Sequence, residues 1–262
     1  MHIDLHNHTI FCHHATGCID EYIQAAIAQG IDVYGFSCHS PMSFDKNFRM
    51  NLEEFSQYCQ MLQTAKAHYA DKIEILLGME VDYILNHENL IEQAVLDYPF
   101  DYLIGSVHFL DDWGFDNPAF IKQYSQRNIE ECWEQYLLSI TKMAQSGLFQ
   151  IVGHFDLLKI FGHKPKDIHQ QSIKDALESI ADNHLAIELN SAGWRKPIKE
   201  SYPSKEILTQ AFQLNIPITF GSDAHSVKQV GFKYQDLRHL ALEVGYTQAV
   251  FFRQKQSVVI DI

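Results

Sequence analysis

Short apolar runs alternate with segments of helical spacing along the whole chain, and this order limits the folds available to it. The apolar runs occupy 2–6, 32–37, 74–79, 101–107, 150–153, 185–190, 216–220 and, as an additional candidate, 248–252. Their near-continuous hydrophobicity is typical of parallel strands that are covered on both faces. The alternation therefore predicts an α/β fold with a parallel sheet.

The segments between these runs carry apolar residues at the spacing of a helix face, as in Ile173, Ala176, Leu177 and Ile180. No long linker, low-complexity tract or internal repeat interrupts the pattern. Seven or eight strand–helix units in one chain favour a barrel over an open sheet. We therefore predict a single barrel domain that spans residues 1–262.

The charge of the chain limits its partners. Its 33 acidic and 20 basic residues give a net charge of −13, which disfavours nucleic acid and anionic membranes as partners. No apolar stretch reaches the length of a bilayer span, so a soluble, cytoplasmic protein is expected. Nothing in the sequence indicates an oligomeric state.

Five cysteines without a CxxC pair argue against a disulfide framework or a zinc ribbon. Two of them, Cys12 and Cys38, lie beside candidate metal-binding histidines. We interpret both as small buried side chains, with a role as metal ligands as the second reading.

Histidines and carboxylates follow six of the predicted strands at their carboxyl ends. They are His6 and His8 after the first run, then His39, Glu80, His108 and His154, and Asp223 with His225 after the run at 216–220. The carboxyl ends of barrel strands converge on one face, so these side chains should meet around one cavity. Imidazole and carboxylate are the usual ligands of divalent transition metals, which predicts a metal centre.

One tetrahedral ion needs only four ligands, and the sequence offers more candidates than that. We therefore expect two or three metal ions, with Glu80 as the bridging carboxylate. Any one of these histidines alone could be a satisfied core residue, but six separate strand ends make coincidence a poor explanation. We expect solvent exposure for the histidines at strand starts, in loops or on helix faces, which are His2, His13, His68, His87, His163, His169, His184 and His239.

The ordered series HNH at 6–8, His14, SCH at 37–39, GME at 78–80, SVH at 106–108, VGH at 152–154 and GSDAH at 221–225 resembles the polymerase and histidinol phosphatase (PHP) family. The resemblance implies a distorted (β/α)7 TIM-like barrel with a trinuclear site of Zn, Mn or Fe. One metal would take His6, His8, Glu80 and Asp223, the second Glu80, His108 and His154, and the third His14, His39 and His225. The neighbouring His13 competes with His14, and the spacing from His8 selects His14.

Within the family, the segments SVHFLDDWGFDNP and LNSAGWRKP are more similar to the stand-alone histidinol-phosphate phosphatases than to the domain fused to DNA polymerases. The chemistry expected of such a site is hydrolysis of a phosphate monoester by a metal-bridged hydroxide, without a covalent phosphoenzyme. Glu80 and Asp223 would hold the metals and orient the hydroxide, and Arg195 would bind phosphate oxygens. No residue is assigned as the general acid.

Weaker candidates for substrate contacts are Arg49, Lys159 and, in an acidic aromatic loop, Trp113, with Asp111, Asp112 and Asp116 beside it. Asp4, Asn7, Ser106, Asn190 and Ser222 could orient the imidazoles or could simply make local turn hydrogen bonds. The leading hypothesis is hydrolysis of L-histidinol phosphate, a small molecule. The alternatives are another phosphate ester, such as a nucleotide, a sugar phosphate or an oligonucleotide end, and a metal-binding domain without catalysis.

Overall fold

The computed structural model describes residues 1–262 and contains seven α-helices and eleven strands. The helices are α1 (Ile19–Ala28), α2 (Phe55–His68), α3 (Gln93–Asp97), α4 (Ile129–Gln145), α5 (Gln170–Asp182), α6 (Lys205–Gln213) and α7 (Tyr234–Val244). The strands are β1 (Ile3–Asp4), β2 (Val33–Phe36), β3 (Glu74–Asp82), β4 (Tyr102–Ser106), β5 (Phe109–Leu110), β6 (Trp113–Gly114), β7 (Ile151–Val152), β8 (Ala186–Asn190), β9 (Ile218–Gly221), β10 (Gln248–Arg253) and β11 (Gln256–Asp261).

Seven of these strands form one parallel sheet in the order β1-β2-β3-β4-β7-β8-β9. The two edges of this sheet meet, because the backbone N–H of Leu5 donates to the carbonyl of Phe220 over 2.8 Å and that of His8 to Ala224 over 2.9 Å. The sheet therefore closes into a distorted barrel of seven parallel strands, which confirms the predicted fold class. No helix is long and apolar enough to cross a membrane.

The additional strand candidate at 248–252 does form a strand, but it does not join the barrel. β10 pairs antiparallel with β11 as a separate hairpin, and the turn between them places Gln254 and Lys255 at positive φ. A two-residue turn of this kind joins antiparallel strands, whereas a further parallel barrel strand needs a crossover connection. Of the seven or eight strand–helix units that the sequence allows, the barrel therefore contains seven.

Two strand ends differ from the predicted boundaries in a way that matters for the site. β1 ends at Asp4, so His6 and His8 lie beyond the ladder, whereas β3 continues through Asp82 and carries Glu80 within the strand. An isolated parallel bridge joins His39 to Glu80 just past the end of β2. The backbone pairing of the sheet therefore extends up to the candidate ligands and fixes their positions.

Inside the barrel, the ring of one tyrosine packs closely against two glycines. The hydroxyl of Tyr102 donates to the carbonyl of Leu5 over 2.6 Å. A Cβ on Gly35 would lie 2.0 Å from that hydroxyl, and a Cβ on Gly78 would lie 2.4 Å from the Tyr102 ring. The two glycines make room for the ring, which ties β4 across the barrel to the segment that carries His6.

Two of the histidines expected to be exposed are packed instead. His169 is buried, and its Nδ1 accepts from the N–H of Lys166 while Nε2 faces the carbonyl of Glu130. His2 stacks on Tyr234 with ring centroids 3.6 Å apart, and burial lowers the pKa of His2 to about 4. Both rings find partners by folding back on helices, which sequence position alone does not reveal.

Candidate metal centre

The histidines and carboxylates predicted at the strand ends do meet at one end of the barrel. The ring centroid of His8 lies 3.9 Å from that of His225 and 4.4 Å from that of His39. On the other side of the cluster, the rings of His108 and His154 are 4.9 Å apart. Residues from 6 to 225 of the chain therefore share one site, as the barrel geometry predicts.

Glu80 is the centre of this cluster. Its Oε2 lies 2.9 Å from Nδ1 of His39 and 3.3 Å from Nε2 of His6, and its Oε1 lies 2.9 Å from Nε2 of His154. The side chain is 1% exposed, and burial alone would raise its pKa. The surrounding imidazoles, with His39 the strongest, outweigh burial and hold the pKa of Glu80 well below its usual value.

Asp223 is the second carboxylate that faces the histidines. Its Oδ1 lies 3.2 Å from Nε2 of His8 and 3.4 Å from Nδ1 of His225. Burial opposes ionisation of Asp223, but His6 and His8 lower its pKa well below the usual range. The backbone of Asp223 has a φ of +52°, in the left-handed region that few residues other than glycine adopt. Backbone conformations of this kind occur often at functional sites.

The unpartnered atoms of the cluster test whether it suits metal ions. Nε2 of His6, both ring nitrogens of His8, Oε2 of Glu80 and Nδ1 of His154 are buried without a hydrogen-bond partner. Buried polar atoms are nearly always satisfied, so ring nitrogens and a carboxylate oxygen left without partners in one cluster suit a bound cation. The triplets His6–His8–Glu80, His39–Glu80–His108 and His8–His39–His225 each have ligand atoms within 4.8 Å of one another. The donor set therefore fits more than one divalent metal.

The structure separates the two adjacent histidines near the third group of ligands. His13 is turned away, with Nδ1 2.8 Å from the carbonyl of Lys46 and Nε2 3.0 Å from the carboxylate of Glu54. His14 lines the cavity at the barrel mouth, and its Nδ1 lies 2.7 Å from the carbonyl of Cys12. The hydrogen bond at Nδ1 leaves Nε2 of His14 free for a ligand, which supports the choice of His14.

Cys12 and Cys38 are both fully buried beside this group. Their sulfur atoms and a ring nitrogen of His8 lie within 4.8 Å of one another, and Thr9 donates to the sulfur of Cys38 over 3.4 Å. Neither cysteine lines the cavity. The burial of both side chains agrees with the first reading, and the sulfur of Cys12 also lies within 4.8 Å of ring nitrogens of His14 and His225.

Sequence reasoning missed two carboxylates that orient the imidazoles. Nδ1 of His6 lies 2.7 Å from Glu188, whose other oxygen accepts the backbone N–H of His154. Nδ1 of His108 lies 2.6 Å from Asp82. Carboxylates in these positions fix the ring tautomer and make the opposite nitrogen a better ligand. An acidic residue inside an apolar strand, as in AIELN and GMEVD, is the signal that could have identified both.

The polar residues proposed for that orienting role contact other groups. Asp4 accepts the N–H and hydroxyl of Ser222, Asn7 donates to the carbonyl of Gly35, and Asn190 donates to Glu188. Ser106 donates to Glu80 over 2.7 Å. None of the five makes a hydrogen bond to an imidazole ring, so they support the carboxylates and loops instead.

A cavity of about 370 Å³ opens above the ligands. Arg195 lines it and donates through Nη2 to the carbonyls of Ser222 and Asp223 over 2.9 and 2.8 Å, while its Nη1 is buried without a partner. The cation has no carboxylate within ion-pair distance. Arg195 therefore lies where the sequence predicts it, with a donor left for a bound anion.

The three weaker candidates for substrate contacts have different surroundings from Arg195. Lys159 is buried and pairs with Asp156 over 2.8 Å, and Trp113 is buried with Arg127 over its ring. Neither lines the cavity, so the structure gives no support to a substrate contact for them. Lys159 also donates to the carbonyl of Ser201 over 2.8 Å, which holds its ammonium group away from the cavity. Arg49 lines an adjoining cavity, but its charge is taken up by Asp82, 2.9 Å away.

The loop that carries Trp113 presents a different side chain to the site. The side chain of Asp112 is 97% exposed, and Asp111 accepts from Gln135 on the outer surface. Asp116 is half-buried and lines the cavity beside the ligands. Of the acidic residues in this loop, Asp116 is therefore the one that faces the metal centre.

A parallel barrel with clustered imidazoles and carboxylates at the carboxyl ends of its strands defines a class of metal-dependent barrel proteins. The sequence model of the PHP domain matches residues 4–192, and the chain belongs to this family. The match covers more than half of the chain.

Relatives extend the similarity to the whole chain. A protein of Deinococcus radiodurans described as a probable histidinol-phosphatase is 38% identical over 260 residues, covering 97% of this chain and 98% of the relative. The histidinol-phosphatase of Bacillus subtilis is 30% identical, covering 88% and 96%. The crystal structure of histidinol phosphate phosphatase from Lactococcus lactis, complexed with zinc, L-histidinol and phosphate, is 25% identical with a TM-score of 0.84 and covers 98% of both chains.

We predict that Glu188→Gln weakens metal binding by about 10- to 100-fold, because the amide is a weaker partner for Nδ1 of His6 than the carboxylate. Metal content after dialysis against graded chelator measures the effect. Glu178→Gln, on the half-exposed face of α5, is the matched control and should bind metal as the unchanged protein does. Equal metal affinity in the two variants would contradict the orienting role of Glu188.

We also predict that metal binding releases protons at neutral pH. Burial would lower the pKa of His108, but Asp82 and Glu80 outweigh it and raise the pKa to about 10. Burial of His6 is likewise outweighed by Glu188 and Glu80, which raise its pKa well above 6.5. Both rings are protonated below these values and must lose a proton to coordinate, so affinity rises with pH.

Calorimetric titration in buffers of different ionisation enthalpy counts the released protons. In Asp82→Asn, the carboxylate that raises the pKa of His108 is absent, and fewer protons should be released. Heats that are the same in every buffer would show that the rings are already neutral before the metal binds.

Proposed function

We propose that the protein is a metal-dependent phosphomonoesterase that hydrolyses L-histidinol phosphate to L-histidinol and phosphate. The observation that carries the proposal is the Glu80 cluster of imidazoles, open to a cavity into which Arg195 brings an unpartnered donor. The curated relatives and the Lactococcus lactis complex supply the identity of the alcohol. The proposal treats residues 1–262 as one domain with a small-molecule substrate.

The ligands in this proposal are the nine side chains at the barrel mouth. Two or three divalent ions would be held by His6, His8, His14, His39, Glu80, His108, His154, Asp223 and His225. Glu80 is the bridging candidate, because its two oxygens face different imidazoles. Zinc is supported by the Lactococcus lactis structure, and the same donors also suit manganese and iron.

Bound divalent ions neutralise phosphate oxygens and lower the pKa of water toward 7, which gives a nucleophile at neutral pH. The cavity-lining residues include no serine, threonine or cysteine, and the proposal assigns the attack to water and not to a side chain. Asp223, whose pKa is held low, is ionised at neutral pH and can accept a hydrogen bond from that water.

Arg195 has the position of a phosphate-binding residue. Its Nη2 is fixed by two backbone carbonyls next to Asp223, so the guanidinium is held in place before substrate arrives. Its free Nη1 can donate to a phosphate oxygen. Lys196, which makes no ion pair, lines the same cavity and adds a second positive charge. Together, Arg195 and Lys196 bring positive charge to the cavity of a chain that is acidic as a whole.

A panel of phosphate esters, assayed for phosphate release with and without chelator, tests the proposal. We predict that histidinol phosphate is turned over selectively, that chelation abolishes turnover and that added zinc or manganese restores it. Faster turnover of a nucleotide or a sugar phosphate would instead support another substrate of the same family chemistry. The lack of phosphate release from every ester with every added metal would indicate a metal-binding domain without catalysis.

We predict that Arg195→Ala lowers kcat/KM for the substrate by about 10- to 100-fold, the loss expected for a hydrogen bond to a charged group. Metal content should be unchanged, since Arg195 contacts backbone carbonyls and not the ligand atoms. Arg195→Lys should recover part of the loss. Arg253→Ala, at the exposed pair with Glu74, is the control. Unchanged kinetics in Arg195→Ala would remove this residue from the phosphate site.

A further inference from the structure

Two connections of the barrel carry candidate ligands at the open edge of the metal centre. The first connection is residues 5–18, between β1 and α1, and it carries His14. The second connection is residues 37–54, between β2 and α2, and it carries His39. Of the nine candidate ligands, His14 is the only exposed residue, whereas five of the others are buried. Packing in the interior fixes a buried ligand, but a ligand on an exposed loop depends on the contacts of the loop itself.

The side chain of His13 joins the two connections next to His14. Its Nδ1 lies 2.8 Å from the carbonyl of Lys46, and its Nε2 lies 3.0 Å from Oε2 of Glu54. Glu54 is itself held in place, because the backbone N–H and the side-chain amide of Asn51 donate to the same oxygen over 2.9 and 3.1 Å. One imidazole therefore binds two separate points of the second connection. We call His13, Lys46 and Glu54 the His13 clasp.

The backbone at His13 shows that the ring is needed at this position. It has a φ of +64°, in the left-handed region. The residue follows a single 3₁₀ turn at Ile10–Cys12 and donates its N–H to the carbonyl of Ile10 over 3.0 Å. Glycine adopts this conformation more readily than histidine does. The hydrogen bonds of the ring offset a backbone that is less favourable for this residue type.

The two connections also meet beneath the ligands. There the backbone N–H of Ser37 donates to the carbonyl of Asn7 over 2.9 Å, and the hydroxyl of Thr9 donates to the sulfur of Cys38 over 3.4 Å. These contacts are buried and lie close to the ends of the strands. The His13 clasp instead joins the exposed parts of the two connections, which the strands do not hold.

The clasp also fixes the side chain that packs against the outer edge of His14. Lys46, whose carbonyl the clasp binds, lies two residues before Phe48, and the ring of Phe48 meets that of His14 edge to face with centroids 5.6 Å apart. The opposite side of the His14 ring faces His225 at 4.6 Å and His39 at 5.4 Å. Loss of the clasp would free both the loop that carries His14 and the loop that supports it.

We propose that His13 is a positioning residue for the metal ion that His14, His39 and His225 would hold. It contacts no metal itself, and the clasp keeps the imidazoles of His14 and His39 side by side. The inference rests on the proposed phosphatase function and its ligands. It gives the two adjacent histidines different roles, since one is a ligand and the other holds that ligand in place.

Metal release under graded chelator tests the proposal, with zinc as the bound ion. His13→Asn suits the left-handed backbone but is too short to reach both partners. We expect one zinc equivalent to leave at an about 10-fold lower chelator concentration and the other equivalents to leave as in the unchanged protein. His14→Ala, which removes a ligand, should lose the same equivalent and so identifies it. His239→Asn, exposed on α7, is the matched control.

Two further measurements separate positioning from a general effect on the fold. Glu54→Gln keeps an acceptor for Asn51 but is a weaker partner for His13, so it should loosen the same zinc equivalent to a smaller extent. In His13→Asn, the zinc concentration that gives half-maximal hydrolysis of histidinol phosphate should rise about 10-fold, while kcat at saturating zinc stays constant. The Tm of the metal-free protein should match that of the control.

Three results would overturn the role of His13. They are unchanged zinc release in His13→Asn, equal loosening of every equivalent in that variant, and retention of every equivalent in His14→Ala. Failure of the proposed function looks different. Unchanged protein that does not hydrolyse histidinol phosphate would refute that function, while a selective loss of one zinc equivalent in His13→Asn would still support the clasp.

Discussion

The buried negative charge of Glu80 is the constraint on which the barrel mouth depends. A carboxylate that is 1% exposed would cost several kcal/mol if it were left alone, so it needs positive partners at short range. The structure surrounds Glu80 with imidazoles from four different connections of the barrel, including His6, His39 and His154. Each of these connections therefore places an imidazole next to the same carboxylate.

The pairing of carboxylates with imidazoles continues outward from Glu80. His6 and His108 are each held between the central carboxylate and a second one, Glu188 or Asp82, so that the rings bridge two layers of negative charge. Three buried carboxylates and the partly buried Asp223 outnumber the permanent cations nearby, which are Arg49, Arg195 and Lys196. Divalent metals would balance this excess, so the acidity that surrounds the ligands and the demand for cations have one physical origin.

The sequence was sufficient to predict the barrel and the meeting of the candidate ligands at one end of it, for a physical reason. Parallel strands bring their carboxyl ends together, so a histidine that follows a strand is located without knowledge of its rotamer. His14 was separable from His13 by its spacing from His8, and the structure turns His13 away toward Glu54. The segments between the barrel strands offer no such rule: Lys159 and Trp113 lie in such segments as well, yet both side chains are buried away from the cavity.

The orienting carboxylates were missed for a related reason. Glu188 and Asp82 lie in strands whose other residues are apolar, and alternation along a strand does not tell which polar residue faces an imidazole. The hairpin formed by β10 and β11 could not be separated from a barrel strand by hydrophobicity alone, because the two kinds of strand bury similar side chains. Long-range pairing decides both questions, and it is set by the three-dimensional register of the sheet.

The two arginines near the site differ in whether a carboxylate neutralises their charge. Both guanidinium groups have buried donors without partners, but Arg49 lies against the carboxylates of Asp82 and Asp45, whereas Arg195 binds only backbone carbonyls. The positive charge of Arg49 is therefore neutralised inside the protein, and that of Arg195 remains available.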